Sequence, residues 1–114
     1  MNVKTIGLLL VIAAVCFSQK TRAATVVVPM GQITYVENGW YGEGMAIHTS
    51  NDGPSGCSAG PNQFAIDRNH PAYQELTAMA LMAYMKNIEI GLVADSGTCI
   101  LNGRTKIISI RLQK

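Results

Sequence analysis

Residues 70–87, HPAYQELTAMALMAYMKN, are the stretch of the chain that decides its fold. Alanine, leucine, methionine, glutamine and glutamate fill most of it, and all of these residues favour helices. Pro71 suits a first helical position, where a missing backbone N–H costs nothing, and Asn87 suits a helix end. The stretch therefore predicts one helix over residues 72–86.

Short runs rich in β-branched residues lie on both sides of this helix and predict strands. Asn38-Gly39 is a strong turn dipeptide, so the first two main strands are expected to form a hairpin. Pro29 and Gly31 interrupt the run that precedes them, which predicts an edge strand or a bulge there. Two segments rich in turn formers predict loops at residues 50–62 and 95–104. The expected strands are residues 32–37, 45–49, 63–67, 88–94 and 105–112.

The order of these elements is β-β-β-α-β-β, with the helix between the third and fourth strands. Among small folds, this order fits a five-stranded OB-like barrel, in which the helix closes one end between those two strands. An α+β sheet with one packed helix is the alternative.

The helix has two apolar sides. At about 100° per residue, one side carries a set of residues suited to packing on a sheet: Tyr73, Leu76, Thr77, Ala80 and Tyr84. The opposite side carries Ala78, Met82 and Met85. These three residues have two interpretations, since alanine and methionine are good helix formers, whereas an exposed apolar stripe also suits an oligomer interface.

The amino-terminal segment has the layout of a secretory signal peptide. Lys4 is followed by an almost wholly apolar run at residues 6–17, and then by a polar stretch that ends at Ala23. A membrane-spanning helix needs about 20 apolar residues, so the run is too short for an anchor. The sequence predicts cleavage near Ala23, a single domain over residues 24–114, no membrane span after cleavage, and a secreted or periplasmic location.

The net charge limits the classes of partner that the protein is expected to bind. The whole chain has a formal charge of +2, but residues 1–23 contain three basic residues and no acidic one, so the remainder carries −1. Nucleic-acid affinity depends on basic side chains that neutralise phosphates. Nucleic acid is therefore not an expected partner.

Cys57 and Cys99 are the two cysteines that remain after cleavage. An even number of cysteines in an oxidising compartment favours a disulfide. A zinc site is the alternative, but neither His48 nor His70 is spaced with a cysteine as a ligand pair. We predict the disulfide Cys57–Cys99, no metal site and no cofactor.

No motif of nucleophilic or acid–base catalysis is present, and the chain is expected not to be an enzyme. Asp67 and His70 lie close in sequence, and hydrogen bonding at the helix entry explains them better than catalysis does. Trp40 and Tyr41, in the first hairpin turn, are candidates either for ligand binding or for packing over the end of the fold. His48 and Asn51, near the end of the next strand, are candidate hydrogen-bond partners for the same ligand.

These features resemble two groups of exported proteins. The chain resembles small exported proteins of Gram-negative bacteria in three short segments: Gly56-Cys57, the helix entry at residues 70–73, and Gly97 to Cys99. The single-helix, disulfide-bonded OB layout, with Gly31-Gln32-Ile33 and the helix start at residues 73–76, resembles the B subunits of AB5 toxins of the subtilase-cytotoxin and typhoid-toxin type.

The toxin resemblance implies a pentamer that binds cell-surface glycans. The expected function is thus a non-enzymatic binding module, recognising glycans in the manner of a toxin B subunit. The alternative is a periplasmic inhibitor or accessory protein that acts on an envelope protein.

Overall fold

Strands rich in β-branched residues and one alanine-rich helix make up the described part of the chain. A computed structural model describes residues 24–113. In chain order the elements are β1 (Thr25–Gly31), β2 (Ile33–Asn38), β3 (Gly44–Thr49), β4 (Gln63–Asp67), α1 (Tyr73–Lys86), β5 (Ile90–Ile100) and β6 (Arg104–Leu112). The expectation of a mainly β chain with one helix is confirmed for these residues. The predicted signal peptide, residues 1–23, lies outside them.

All six strands belong to one open sheet in the order β1-β5-β6-β4-β3-β2. β4 and β6 run parallel, and the other neighbouring strands run antiparallel. The predicted number of five strands is wrong, because the first run of chain is divided into β1, which pairs with β5, and β2, which pairs with β3. Pro29 has no N–H for a strand ladder, and the β1–β5 register shifts between Val28 and Gly31. The two outer strands are thus consecutive in the chain, with Gln32 between them.

The helix covers one side of this sheet. It packs against β2, β4 and β6 through Leu76, Ala80 and Ala83, all of which are buried. The largest apolar side chains that the strands bury belong to the same core: Ile47, Phe64, Ile66, Ile90, Leu92 and Ile107. Tyr84, predicted on the packed side, is instead 39% exposed, and Ala83 takes the buried place. A small residue there lets the helix approach the sheet closely.

Hydrogen bonds before its first turn and a left-handed residue after its last turn define the two ends of the helix. Ala72 is the residue before its first turn, and the Ala72 N–H donates to Nδ1 of His70 at 2.9 Å. Asn87 ends the helix in the left-handed region, with φ of 52°. The His70 N–H also donates to the main-chain oxygen of Asp67 at 3.0 Å. The interpretation of Asp67 and His70 as helix-entry residues is therefore confirmed.

The disulfide Cys57–Cys99 is present, with an S–S distance of 2.07 Å, and it ties the 50–62 loop to the end of β5. The second predicted loop, residues 95–104, is wrong for most of its length, because β5 continues to Ile100 and the turn covers residues 101–103 alone. The register between β5 and β6 shifts between Asp95 and Cys99, so the turn formers there form a bulge inside the strand. Within residues 24–113, no helix is long and apolar enough to cross a bilayer.

Candidate binding cleft

Two turns enclose a cleft at one end of the sheet. The β2–β3 turn (residues 39–43) forms one wall, and the β5–β6 turn (residues 101–103) forms the other. The cleft has a volume of about 330 Å³, and Ala46 of β3 lies within it. Its lining residues are Glu37, Asn38, Gly39, Trp40, Tyr41, Glu43, Ala46, Leu101, Asn102 and Arg104. Aromatic, carboxylate, amide and guanidinium groups therefore converge on one concave site.

Main-chain hydrogen bonds hold the β2–β3 turn in a defined shape. The Gly39 N–H donates to the Gly44 oxygen at 2.7 Å, and the Gly42 N–H donates to the Gly39 oxygen at 3.1 Å. Gly42 has φ of 74°, a conformation in which a side chain is unfavourable. Arg68, from the segment after β4, donates from Nη1 to the Gly42 oxygen at 3.2 Å. The turn is thus braced from outside the hairpin as well as within it.

The two aromatic side chains of this turn project into solvent. Trp40 is 85% exposed and Tyr41 is 92% exposed, so Trp40 does not pack over the end of the fold. The indole is nevertheless held in place, because Nε1 donates to Oε1 of Glu37 at 2.9 Å. The Tyr41 N–H donates to Oε2 of Glu43 at 2.8 Å. One carboxylate of the cleft therefore holds the Trp40 ring, and a second holds the main chain at Tyr41.

Glu37 is the centre of a small polar network. Its carboxylate accepts hydrogen bonds from the Tyr35 hydroxyl and from Trp40. These two bonds lower the pKa of Glu37, the Tyr35 bond contributing most, because both stabilise the charged form. The same bond to Glu37 is the main cause of the raised pKa of Tyr35. Glu37 is therefore ionised near neutral pH.

His48 belongs to this network and not to the cleft lining. It lies opposite Tyr35 in the β2–β3 ladder, and the two rings stack with centroids 4.3 Å apart. Burial lowers the pKa of His48, Arg104 lowers it further, and Glu37 opposes both. Its Nε2 is buried and has no hydrogen-bond partner among the described residues. The network thus links His48 to the cleft through Tyr35 and Glu37.

Asn51 lies apart from the other predicted site residues. Its side-chain amide donates to the main-chain oxygens of Met30 and, at 3.4 Å, Pro29. Asn51 therefore fastens the 50–62 loop to β1, and the structure does not bring it to the Trp40 cleft.

Sequence reasoning missed the second wall of the cleft. Leu101 and Asn102 have positive φ values of 45° and 61°, and Gly103 has φ of 83°. A left-handed conformation is uncommon for leucine, and such residues cluster at functional sites. Nη1 of Arg104 donates to the Leu101 oxygen at 2.7 Å, and the Ala59 N–H donates to the Gly103 oxygen at 3.0 Å. Asn102-Gly103 was the one turn signal in the sequence that could have identified this wall.

Metal-ligating side chains are dispersed in the described part of the chain. Residues 24–113 contain no group of three or more His, Cys, Asp or Glu side chains placed to hold a metal ion.

In comparisons with known proteins, no family model, curated protein or solved structure matches this chain. The properties of the cleft itself therefore carry the functional argument.

Proposed function

We propose that this protein is an exported, non-enzymatic binding module that recognises glycans through the Trp40 cleft. The observation that carries the proposal is the state of Trp40, which is 85% exposed and yet held by a hydrogen bond to Glu37. An aromatic ring that is fixed before binding loses little conformational entropy when a ligand stacks on it. The flat apolar face of a sugar ring suits such a platform.

The polar groups of the cleft suit the hydroxyls of the same ligand. Asn38 and Asn102 each offer an amide that can donate and accept, and Glu43 offers a carboxylate. Arg104 also lines the cleft and adds a guanidinium, a group that donates hydrogen bonds and does not accept them. A few convergent polar groups beside an apolar surface are typical of small-ligand sites.

An OB-like layout is part of the proposal. β1 and β2 are separated by Gln32 alone, so one bent run of chain forms both outer strands of the sheet. The first strand of an OB barrel occupies the same position. In that fold, the face of strands 2 and 3 and the loops L12 and L45 bind oligosaccharides and oligonucleotides. The Trp40 turn and the β5–β6 turn correspond to these two loops.

Two further observations support export and a non-enzymatic role. The disulfide Cys57–Cys99 favours an oxidising compartment, such as the periplasm or the exterior of the cell. The lowered pKa of Glu37 argues against this one carboxylate as the general acid of glycoside hydrolysis. The proposal thus extends the resemblance to toxin B subunits, from layout to the class of ligand.

The proposal is tested with a glycan array, followed by titration calorimetry on the glycans that bind. Trp40→Ala is expected to weaken binding roughly 30-fold, corresponding to the ~2 kcal/mol that an aromatic anchor contributes. Its midpoint of thermal unfolding should not change, because Trp40 is exposed. Tyr84→Ala, which removes an exposed ring from α1, is the matched control and should bind normally.

The runner-up function is inhibition or support of an envelope protein, and one observation favours it. Tyr41 is 92% exposed beside Trp40, and paired aromatic residues on a projecting turn suit insertion into a pocket of another protein. An array without any bound glycan, together with Trp40-dependent capture of one envelope protein, would replace the glycan proposal with this one.

A further inference from the structure

The outward side of α1 carries a stripe of apolar residues that the fold does not use. We call Ala78, Leu81, Met82 and Met85 the outer stripe. All four are exposed, with 42% for Leu81, 48% for Met82 and 77% for Met85. Their spacing of i, i+3, i+4 and i+7 places them on one side of a helix. The outer stripe therefore forms a continuous apolar surface.

The inner side of the helix already accounts for packing on the sheet. Leu76, Ala80 and Ala83 are buried, and they lie opposite the outer stripe. Exposed apolar surface gains free energy when a partner covers it. The helix is thus apolar on two opposite sides, as expected for a helix placed between the sheet and a partner.

Charges at the two ends of the stripe specify the orientation of that partner. Glu75 lies in the first turn of α1 and Lys86 lies in its last turn, both exposed. At about 100° per residue, both project from the same flank of the stripe as Met82. This flank is therefore acidic at one end and basic at the other.

We propose that the outer stripe pairs with the outer stripe of a second copy of this chain, antiparallel and about a two-fold axis near Leu81. In an antiparallel pair related by a two-fold axis, the same flank of each helix meets itself. Glu75 of each copy then lies beside Lys86 of the other copy, which gives two ion pairs. A parallel two-fold pair would bring opposite flanks together, so neither of these ion pairs would form.

The same charges argue against a membrane as the partner. Helices that lie in a membrane surface carry lysine and arginine along their polar side. Lys86 is the one basic residue of α1, and Glu75 borders the stripe. A second copy, whose charges complement these two residues, is the better match. This inference goes beyond glycan binding and does not depend on it.

The test measures the mass of the oxidised protein by sedimentation equilibrium over a range of concentrations. Two copies are expected at high concentration. Met85→Glu should be a monomer under the same conditions, because it places a carboxylate in the stripe. Val27→Glu, which alters another exposed apolar residue on β1, is the matched control and should remain a dimer. Circular dichroism checks that each variant is folded.

Charge reversal tests the antiparallel orientation. Glu75→Lys and Lys86→Glu should each weaken the dimer about tenfold, and the double variant should regain most of the loss, because it restores complementary ends. Glu89→Lys is the control, since Glu89 is exposed and lies beyond the helix. Leu81→Cys should form a disulfide between copies, because the axis passes close to this position.

A mass of one copy at every concentration would overturn the proposal, and so would a five-copy mass. A dimer that Met85→Glu leaves intact, or a double charge reversal that does not restore pairing, would also overturn it. The two proposals fail separately: Trp40→Ala should not change the mass, and Met85→Glu should not change the affinity for a soluble monovalent glycan.

Discussion

Loss of the disulfide Cys57–Cys99 is expected to remove a large part of the stability of this protein. The bond joins residues separated by 42 positions. For a loop of this length the chain-entropy model gives about 13 cal/mol/K, or about 4 kcal/mol at 25 °C. Small domains unfold with only ~5–15 kcal/mol. The double variant Cys57→Ser/Cys99→Ser should therefore be folded but marginal.

The corresponding change in melting temperature follows from the size of the domain. Unfolding entropy is about 2.1 cal/mol/K per residue, or about 190 cal/mol/K for about 90 residues, so a loss of ~4 kcal/mol lowers the midpoint by about 20 °C. Circular dichroism during heating measures this shift. Ser55→Ala, in the same loop, is the matched control and should melt with the native protein. Reduction of the native protein should reproduce the loss.

The same variant tests how the cleft is held. Cys99 lies next to the β5–β6 turn, which forms one wall of the cleft, and its neighbour across the ladder is Thr105. Without the bond, glycan affinity should fall even at temperatures where the variant is still folded. A decrease in midpoint below about 5 °C with unchanged affinity would refute the reasoning, because the loop would then be held by its other contacts.

Three further predictions concern the core and the polar network. Phe64→Ala should lower the free energy of unfolding in urea by about 3–5 kcal/mol, because the ring is fully buried, and a loss below ~1 kcal/mol would contradict its place in the core. Gly53→Ala should cost about 1–3 kcal/mol in the same assay, since a Cβ atom would lie 2.6 Å from the Phe64 ring, whereas Gly97→Ala should cost little. The pKa of His48 is lowered from 6.5 in the native protein. Near and below that pH the unfolded chain therefore binds more protons than the native protein does, and the native protein loses stability as the pH falls. The decrease between pH 7.5 and 5.5 should be smaller in His48→Gln, and an equal decrease would show that His48 does not contribute.

Local signals in the sequence predicted several elements well. The strand over residues 63–67 has the predicted bounds, and the hairpin forms around Asn38-Gly39 as expected. The helix begins one residue later than predicted and ends at Lys86. Each of these elements is determined by the residues within it, through turn chemistry or helix propensity. The local sequence was therefore enough to predict them.

Predictions failed where pairing between distant strands decided the outcome. The Asp95 carboxylate accepts hydrogen bonds from the Gly97 N–H at 3.0 Å and from the Thr98 hydroxyl at 2.8 Å. These bonds place a turn-like segment inside β5, where composition indicated a loop. A second register shift, between Val93 and Ala94 of β5, breaks the strict alternation of β6, so that Ile107 and Ile110 are both buried.

The candidate site shows the same division between local and distant effects. Trp40 and Tyr41 were visible as candidates because two adjacent aromatic residues in a turn are unusual. Arg104 was not, because its contribution depends on the β5–β6 turn meeting the β2–β3 turn across the sheet. No spacing of residues in the sequence indicates that these two turns lie next to each other.

The positions of the cleft and the outer stripe make the two proposals complementary. Glu37 and Ala46 line the cleft, while their neighbours Val36 and Ile47 face the core on which α1 packs. Since successive residues of a strand point to opposite sides, the cleft and the helix occupy opposite faces of the sheet. Pairing through α1 would therefore leave both clefts of a dimer open. Because they would lie on the two outward surfaces of the dimer, the clefts would bind two separate ligands and would not engage one surface together.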